Sequence, residues 1–134
     1  MTLFETPLFE TPLYQLDLIA AQQVLRFTWT EATRSMNFDH FRESCMVYAG
    51  LAIEHKVPLL LIDTRQFYYE LPEDYMVWKE QELNPRYARV PVRKHAFILS
   101  PEGYEAYKDK AIEESGYINR YFKSEEDALN WLTD

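Results

Sequence analysis

Val57-Pro58-Leu59-Leu60-Leu61-Ile62-Asp63 is the segment that most restricts how this chain can fold. Its apolar residues run on without alternating with polar ones. A strand with one wet face would show that alternation, so this run belongs to a strand covered on both faces, the situation of a central strand in a parallel sheet. Parallel neighbours cannot be joined by tight turns. They need crossovers of a dozen or more residues, usually helices.

The flanking sequence supplies such helices. Residues 13–19 and 24–30 are two short β-like runs separated by Ala20-Ala21-Gln22-Gln23, which predicts a hairpin. Phe38, Phe41, Cys45, Tyr48 and Ala52 then recur at steps of three and four, marking one face of a helix that runs to about His55. Asn37 is its expected N-cap, and Asp39 complements the dipole. Beyond the central strand, Pro72 at a first helical position with Glu73 and Asp74 opens a second helix, which Pro85 is expected to end or kink, with the last regular turn near Asn84. Residues 93–99 read as a fourth strand. Ser100-Pro101-Glu102 starts a third helix for Gly116 to terminate. Ile118, Arg120 and Phe122 alternate as a fifth strand, and Ser124-Glu125-Glu126-Asp127 caps a last helix packed through Ala128, Leu129, Trp131 and Leu132. The expectation is a single α/β domain of order ββαβαβαβα: a mixed, mostly parallel five-stranded sheet with four helices, its first strand antiparallel at or near an edge.

Residues 13–134 would form that domain. Residues 1–12 hold a tandem pentapeptide, Leu3-Phe4-Glu5-Thr6-Pro7 and Leu8-Phe9-Glu10-Thr11-Pro12. The two prolines argue against continuous ladder pairing, so this segment is expected to be extended over the surface or disordered. With 14 basic against 22 acidic residues, the formal charge is −8. Such a chain repels phosphates, and no nucleic-acid partner is expected. The apolar run of residues 59–62 is far too short to span a bilayer, so no integral membrane association is expected either. Cys45, the single cysteine, lies in the helical pattern and reads as a small buried apolar residue, which suits a cytoplasmic setting.

At this point the chain resembles the SpoIIAA-like group, which includes STAS domains and small STAS/SEC14-like proteins. The phrases that carry the likeness are Leu60-Leu61-Ile62-Asp63-Thr64-Arg65-Gln66-Phe67, then Val92-Arg93-Lys94-His95-Ala96-Phe97-Ile98, and finally Arg120-Tyr121-Phe122 through Ala128-Leu129-Asn130-Trp131-Leu132. Anti-sigma-factor antagonists of that group carry a phosphorylated serine motif at the helix start after the third strand. Here Tyr69-Glu70-Leu71-Pro72-Glu73-Asp74 offers no serine or threonine at that turn, and Thr64 lies several residues upstream. The resemblance thus implies a regulatory or protein-interaction domain without the phospho-switch.

No catalytic constellation stands out. His40, His55 and His95 lack zinc-site spacing, and Gly50, Gly103 and Gly116 are too scattered for a phosphate loop, so no metal or cofactor is expected. Ser100 lacks a nucleophile elbow and reads as a helix cap. In open α/β sheets ligands bind beyond the carboxyl ends of strands, which singles out Asp63, Thr64 and Arg65. Asp63 could equally cap its loop or hold Arg65. Tyr75 and Trp78 share a helix face continued by Leu71, either an interface anchor or simple packing against the sheet. Two readings remain open: a non-catalytic domain acting through a protein partner, including itself as a homodimer, or a binder of a small apolar or amphipathic ligand. For the second, the SEC14-like association implies a helix–sheet pocket lined by Tyr68, Tyr69, Trp78 and Phe97.

Overall fold

In the computed structural model, residues 5–90 and 92–134 are described. Three strands, β1 (Glu5–Glu10), β2 (Tyr14–Ile19) and β3 (Val24–Trp29), open the fold as an antiparallel meander. Helix α1 (Phe38–His55) follows, capped as expected: Asn37 Oδ1 accepts from the His40 N–H at 2.8 Å. Next comes β4 (Leu59–Asp63). Helices α2 (Tyr75–Trp78) and α3 (Asn84–Ala88) are joined by a π turn over Lys79–Leu83 into one unbroken rod. The chain ends with β5 (Lys94–Ile98), α4 (Pro101–Tyr107), β6 (Ala111–Glu114), β7 (Tyr117–Phe122) and α5 (Glu125–Leu132).

All the strands join one sheet of order β1-β2-β3-β4-β5-β7-β6, with β4 at its centre. Hydrophobic clusters cover both faces, with Leu60 on the face toward α1 and the rod and Leu59 and Leu61 on the face toward α5. Leu60 and Leu61 are fully buried, and each such side chain contributes about 2 kcal/mol of transfer free energy. The first cluster is aromatic: Trp29 lies stacked with Phe41 at 5.9 Å, and Phe27 meets Tyr48 edge-on at 5.0 Å. The second is smaller and mostly aliphatic, with Phe122 at its edge, and is closed by Ala128 and Leu132 of α5.

The α/β class, the single mixed sheet and the four helical bodies agree with the sequence, but a mostly parallel five-stranded sheet is corrected. Among the described residues there are seven strands, and β1–β2, β2–β3 and β6–β7 pair antiparallel, against three parallel pairings around β4 and β5. One added strand is β1, which pairs with β2 despite Pro7. An edge strand tolerates proline because alternate N–H groups face away from its partner, and the ladder shifts register between Pro7 and Phe9. Residues 1–4 of the expected surface segment lie outside the described residues.

The other added strand is β6, where a continuing third helix was expected. Ser115 and Gly116 both take positive φ, 48° and 90°, as a two-residue hairpin loop requires. Gly116 therefore turns a hairpin and does not terminate a helix. Of the two outcomes expected at Pro85, the second helix does not end there, and its departure from regular α geometry is the π turn just before it. The Asn84 N–H reaches back five residues to the Lys79 carbonyl, and this wide turn leaves Pro85 in the opening turn of α3, where its missing N–H is not needed.

Candidate functional site

The rod lies over the same sheet face as α1, and between them is a cavity of about 240 Å³. Its apolar wall is mostly aromatic: Phe27 and Trp29 of β3, Phe41 of α1, and Phe67 from the loop after β4. Tyr75, Lys79, Leu83 and Tyr87 of the rod also line it. Four-residue steps on an α-helix drift about 40° per step, since one turn takes 3.6 residues. The π turn winds more slowly and offsets that drift, keeping all four residues on one face. Thr64 and Phe97 bring the cavity to the carboxyl ends of β4 and β5.

A buried polar network reaches the cavity through Lys79. Lys79 Nζ lies 2.9 Å from Glu114 Oε1, and both side chains are largely buried. Asn84 Nδ2 donates to Glu114 Oε2 at 2.7 Å, Asn119 Nδ2 donates to Oε1 at 3.2 Å, and the Tyr117 hydroxyl donates to Asn84 Oδ1 at 2.8 Å. Burial acts to raise the Glu114 pKa, but the Asn84 hydrogen bond and the Lys79 charge outweigh it and hold the carboxyl below its ordinary value. The pair is therefore a satisfied ion pair with no net charge.

Three buried side chains depart from that satisfaction: the Tyr48 hydroxyl, Asn119 Oδ1 and His95 Nδ1 have no hydrogen-bond partner among the described residues, and of the three residues His95 lines the cavity. His95 is 2 % exposed, and its ring is stacked on Phe97 at 4.5 Å. Burial, reinforced by the Lys79 charge, pushes its pKa well down, so the imidazole is neutral. Burial also pushes the Cys45 thiol up to about 12 and keeps the Tyr75 and Tyr87 phenols protonated. The cavity thus presents neutral groups and one compensated ion pair. A more open groove of about 490 Å³ adjoins it, sharing Leu71, Tyr75, Lys79 and Phe97 and extending to Met76, Tyr107 and Ile112.

The structure divides the residues singled out from the sequence. Thr64 and Tyr75 line the cavity, although the Thr64 hydroxyl donates to the Ile98 carbonyl at 2.8 Å. Asp63 and Arg65 instead hold each other, through Nε to Oδ1 at 3.0 Å and Nη2 to Oδ2 at 2.6 Å, while Oδ1 also accepts the Arg65 N–H. Trp78 packs edge-on against Phe38 and Phe41. Of Tyr68, Tyr69, Trp78 and Phe97, only Phe97 lines the cavity. Lys79, Tyr87, His95 and Glu114 were missed. The four-residue period of Tyr75, Lys79, Leu83 and Tyr87 was the available signal, since it departs from the helical 3.6. Ser100 caps α4 as expected, accepting from the Gly103 N–H. Among the described residues no group of three or more His, Cys, Asp or Glu could hold a metal, and no helix is long and apolar enough to cross a membrane.

Comparison with protein-family models, curated proteins and solved structures finds no match. The site's chemistry is the remaining guide to function.

Proposed function

We propose that this domain is a non-catalytic binder of one small, mostly apolar ligand, held in the cavity between the rod and the sheet. The observation that carries the reading is His95, a buried ring with unmet hydrogen-bonding capacity on the wall of an aromatic cavity. Buried polar groups normally find partners, and an imidazole that lacks one while its ring lines a cavity is what a ligand's polar atom would complete. The position beyond the ends of β4 and β5 agrees with where open α/β sheets bind ligands. The SpoIIAA-like resemblance belongs to the same proposal, with the implied phospho-switch left out. Native mass spectrometry of freshly purified protein tests it. A retained adduct, or a ligand-dependent rise in Tm from a small-molecule panel, supports the reading. A bare mass together with no stabilisation by any apolar compound overturns it.

A second reading, contact with a protein partner or a second copy of the chain, draws on Met76 and Val77. They are adjacent on α2 and 47 % and 57 % exposed. Tyr75 and Trp78 face inward, so these two would be the anchors on that helix. Light scattering at high concentration tests the homodimer, and a strict monomer counts against it.

A further inference from the structure

We infer that the cavity selects an uncharged aromatic alcohol or phenol, with its ring among the aromatic side chains and its hydroxyl paired with His95. This rests on the ligand-binding reading above and narrows it by charge and by hydrogen-bonding type.

Charge is excluded by what already surrounds Lys79. Its ammonium is the cation lining the cavity, and Glu114 neutralises it at 2.9 Å. Glu114 in turn accepts from Lys79, Asn84 and Asn119. A ligand carboxylate would have to displace Glu114 or sit beside it. A ligand ammonium would face Lys79. Either leaves a buried charge without a partner, which is costlier than leaving the ligand in water. A neutral polar group meets no such obstacle.

The hydroxyl follows from His95. A neutral imidazole has one nitrogen that donates and one that accepts. Its Nδ1 has no partner among the described residues, and the ring is 2 % exposed. A carbonyl can only accept, whereas a hydroxyl donates or accepts and so fits either tautomer. The Thr64 hydroxyl on the cavity wall is already committed to the Ile98 carbonyl, while the Tyr75 and Tyr87 phenols lie on the opposite, rod side. The aromatic half of the ligand follows from Phe27, Trp29, Phe41 and Phe67, whose faces and edges favour a flat ring. A cavity of about 240 Å³ exceeds the roughly 150 Å³ that accommodates a benzene ring.

The test titrates the full chain with 2-naphthol, naphthalene and 2-naphthoate, followed by NMR. For the unmodified protein, 2-naphthol should bind saturably and about five-fold more tightly than naphthalene, the gain of one hydrogen bond. 2-Naphthoate should bind at least tenfold more weakly than 2-naphthol, and the His95 ring nitrogen resonances, which report hydrogen bonding, should move further with 2-naphthol than with naphthalene. In His95→Phe the preference for 2-naphthol over naphthalene should vanish while naphthalene still binds. The wild-type ranking and the His95 resonances decide the matter even if that variant fails to fold. Equal or tighter binding of 2-naphthoate, or equal affinities for 2-naphthol and naphthalene, overturns the inference but leaves the cavity a ligand site. Failure of all three to bind saturably overturns both.

Discussion

Lys79 Nζ and Glu114 Oε1 meet at 2.9 Å, tying the π turn of the rod to the edge hairpin of the sheet. The bond joins residues 35 positions apart, and its Lys79 end lines the cavity while its Glu114 end lines the adjoining groove. Removing one partner leaves a largely buried charge unsatisfied. Glu114→Gln should therefore cost about 3 kcal/mol in urea denaturation. Lys79→Met combined with Glu114→Leu, which removes both charges, should recover most of that loss. A double variant no more stable than Glu114→Gln would show that the pair is not coupled as described.

His95 makes stability depend on pH in a defined direction. Its folded pKa lies well below the ordinary 6.5, so below that pH the unfolded chain binds a proton that the folded chain refuses. Unfolding is then favoured as pH falls, with a slope approaching 1.4 kcal/mol per pH unit, roughly, for one proton. Stability from this source is fully present above 6.5 and is lost progressively below it. Glu114 acts in a separate window, below its ordinary 4.5, because its folded pKa is lowered. Denaturation curves between pH 7 and pH 5 should show the decline in the native protein and a shallower one in His95→Phe.

Cys45 should be inert while the protein is folded. It is 7 % exposed, and burial pushes its thiol up to about 12, so almost no thiolate exists at pH 8. A thiol-disulfide reagent at pH 8 should label it only at the rate of unfolding, and at once in denaturant. Fast labelling of native protein would contradict this environment.

The hairpin that the sequence concealed offers a stability test. Gly116 has a φ of 90° and open space where a Cβ would sit, so only backbone strain opposes a side chain there. Gly116→Ala should lower stability by about 1 kcal/mol. Ser115, at φ 48°, is a non-glycine residue in the left-handed region. Ser115→Asn should raise Tm slightly, because Asn-Gly suits this loop better.

The parts of the fold legible in the sequence were those governed by local rules. Leu59 to Ile62 announced a doubly covered strand because no polar residue broke the run, and Asn37, Ser100 and Ser124 announced helix starts because each has a side-chain oxygen suited to capping. Pro7 and Gly116 misled, and Pro85 did so in part, for one shared reason. Each was read by its usual local effect, while tertiary context decided the outcome: an open sheet edge, a π turn and a hairpin partner. The site was less legible still. Asp63 and Arg65 sat at the right end of a strand, but their proximity let them satisfy each other. Lys79 and Glu114 became partners only through β6, a strand the helical reading of residues 101–115 had hidden.

The central claim is that the space between the rod and the sheet admits a small apolar guest. Methyl-detected NMR during an indole titration measures this most directly. Ile62, Leu71 and Leu83, which line the cavity from three segments of the chain, should shift together along one saturating curve. Unmoved signals from these three, or non-saturating shifts confined to exposed Met76 and Val77, would contradict it.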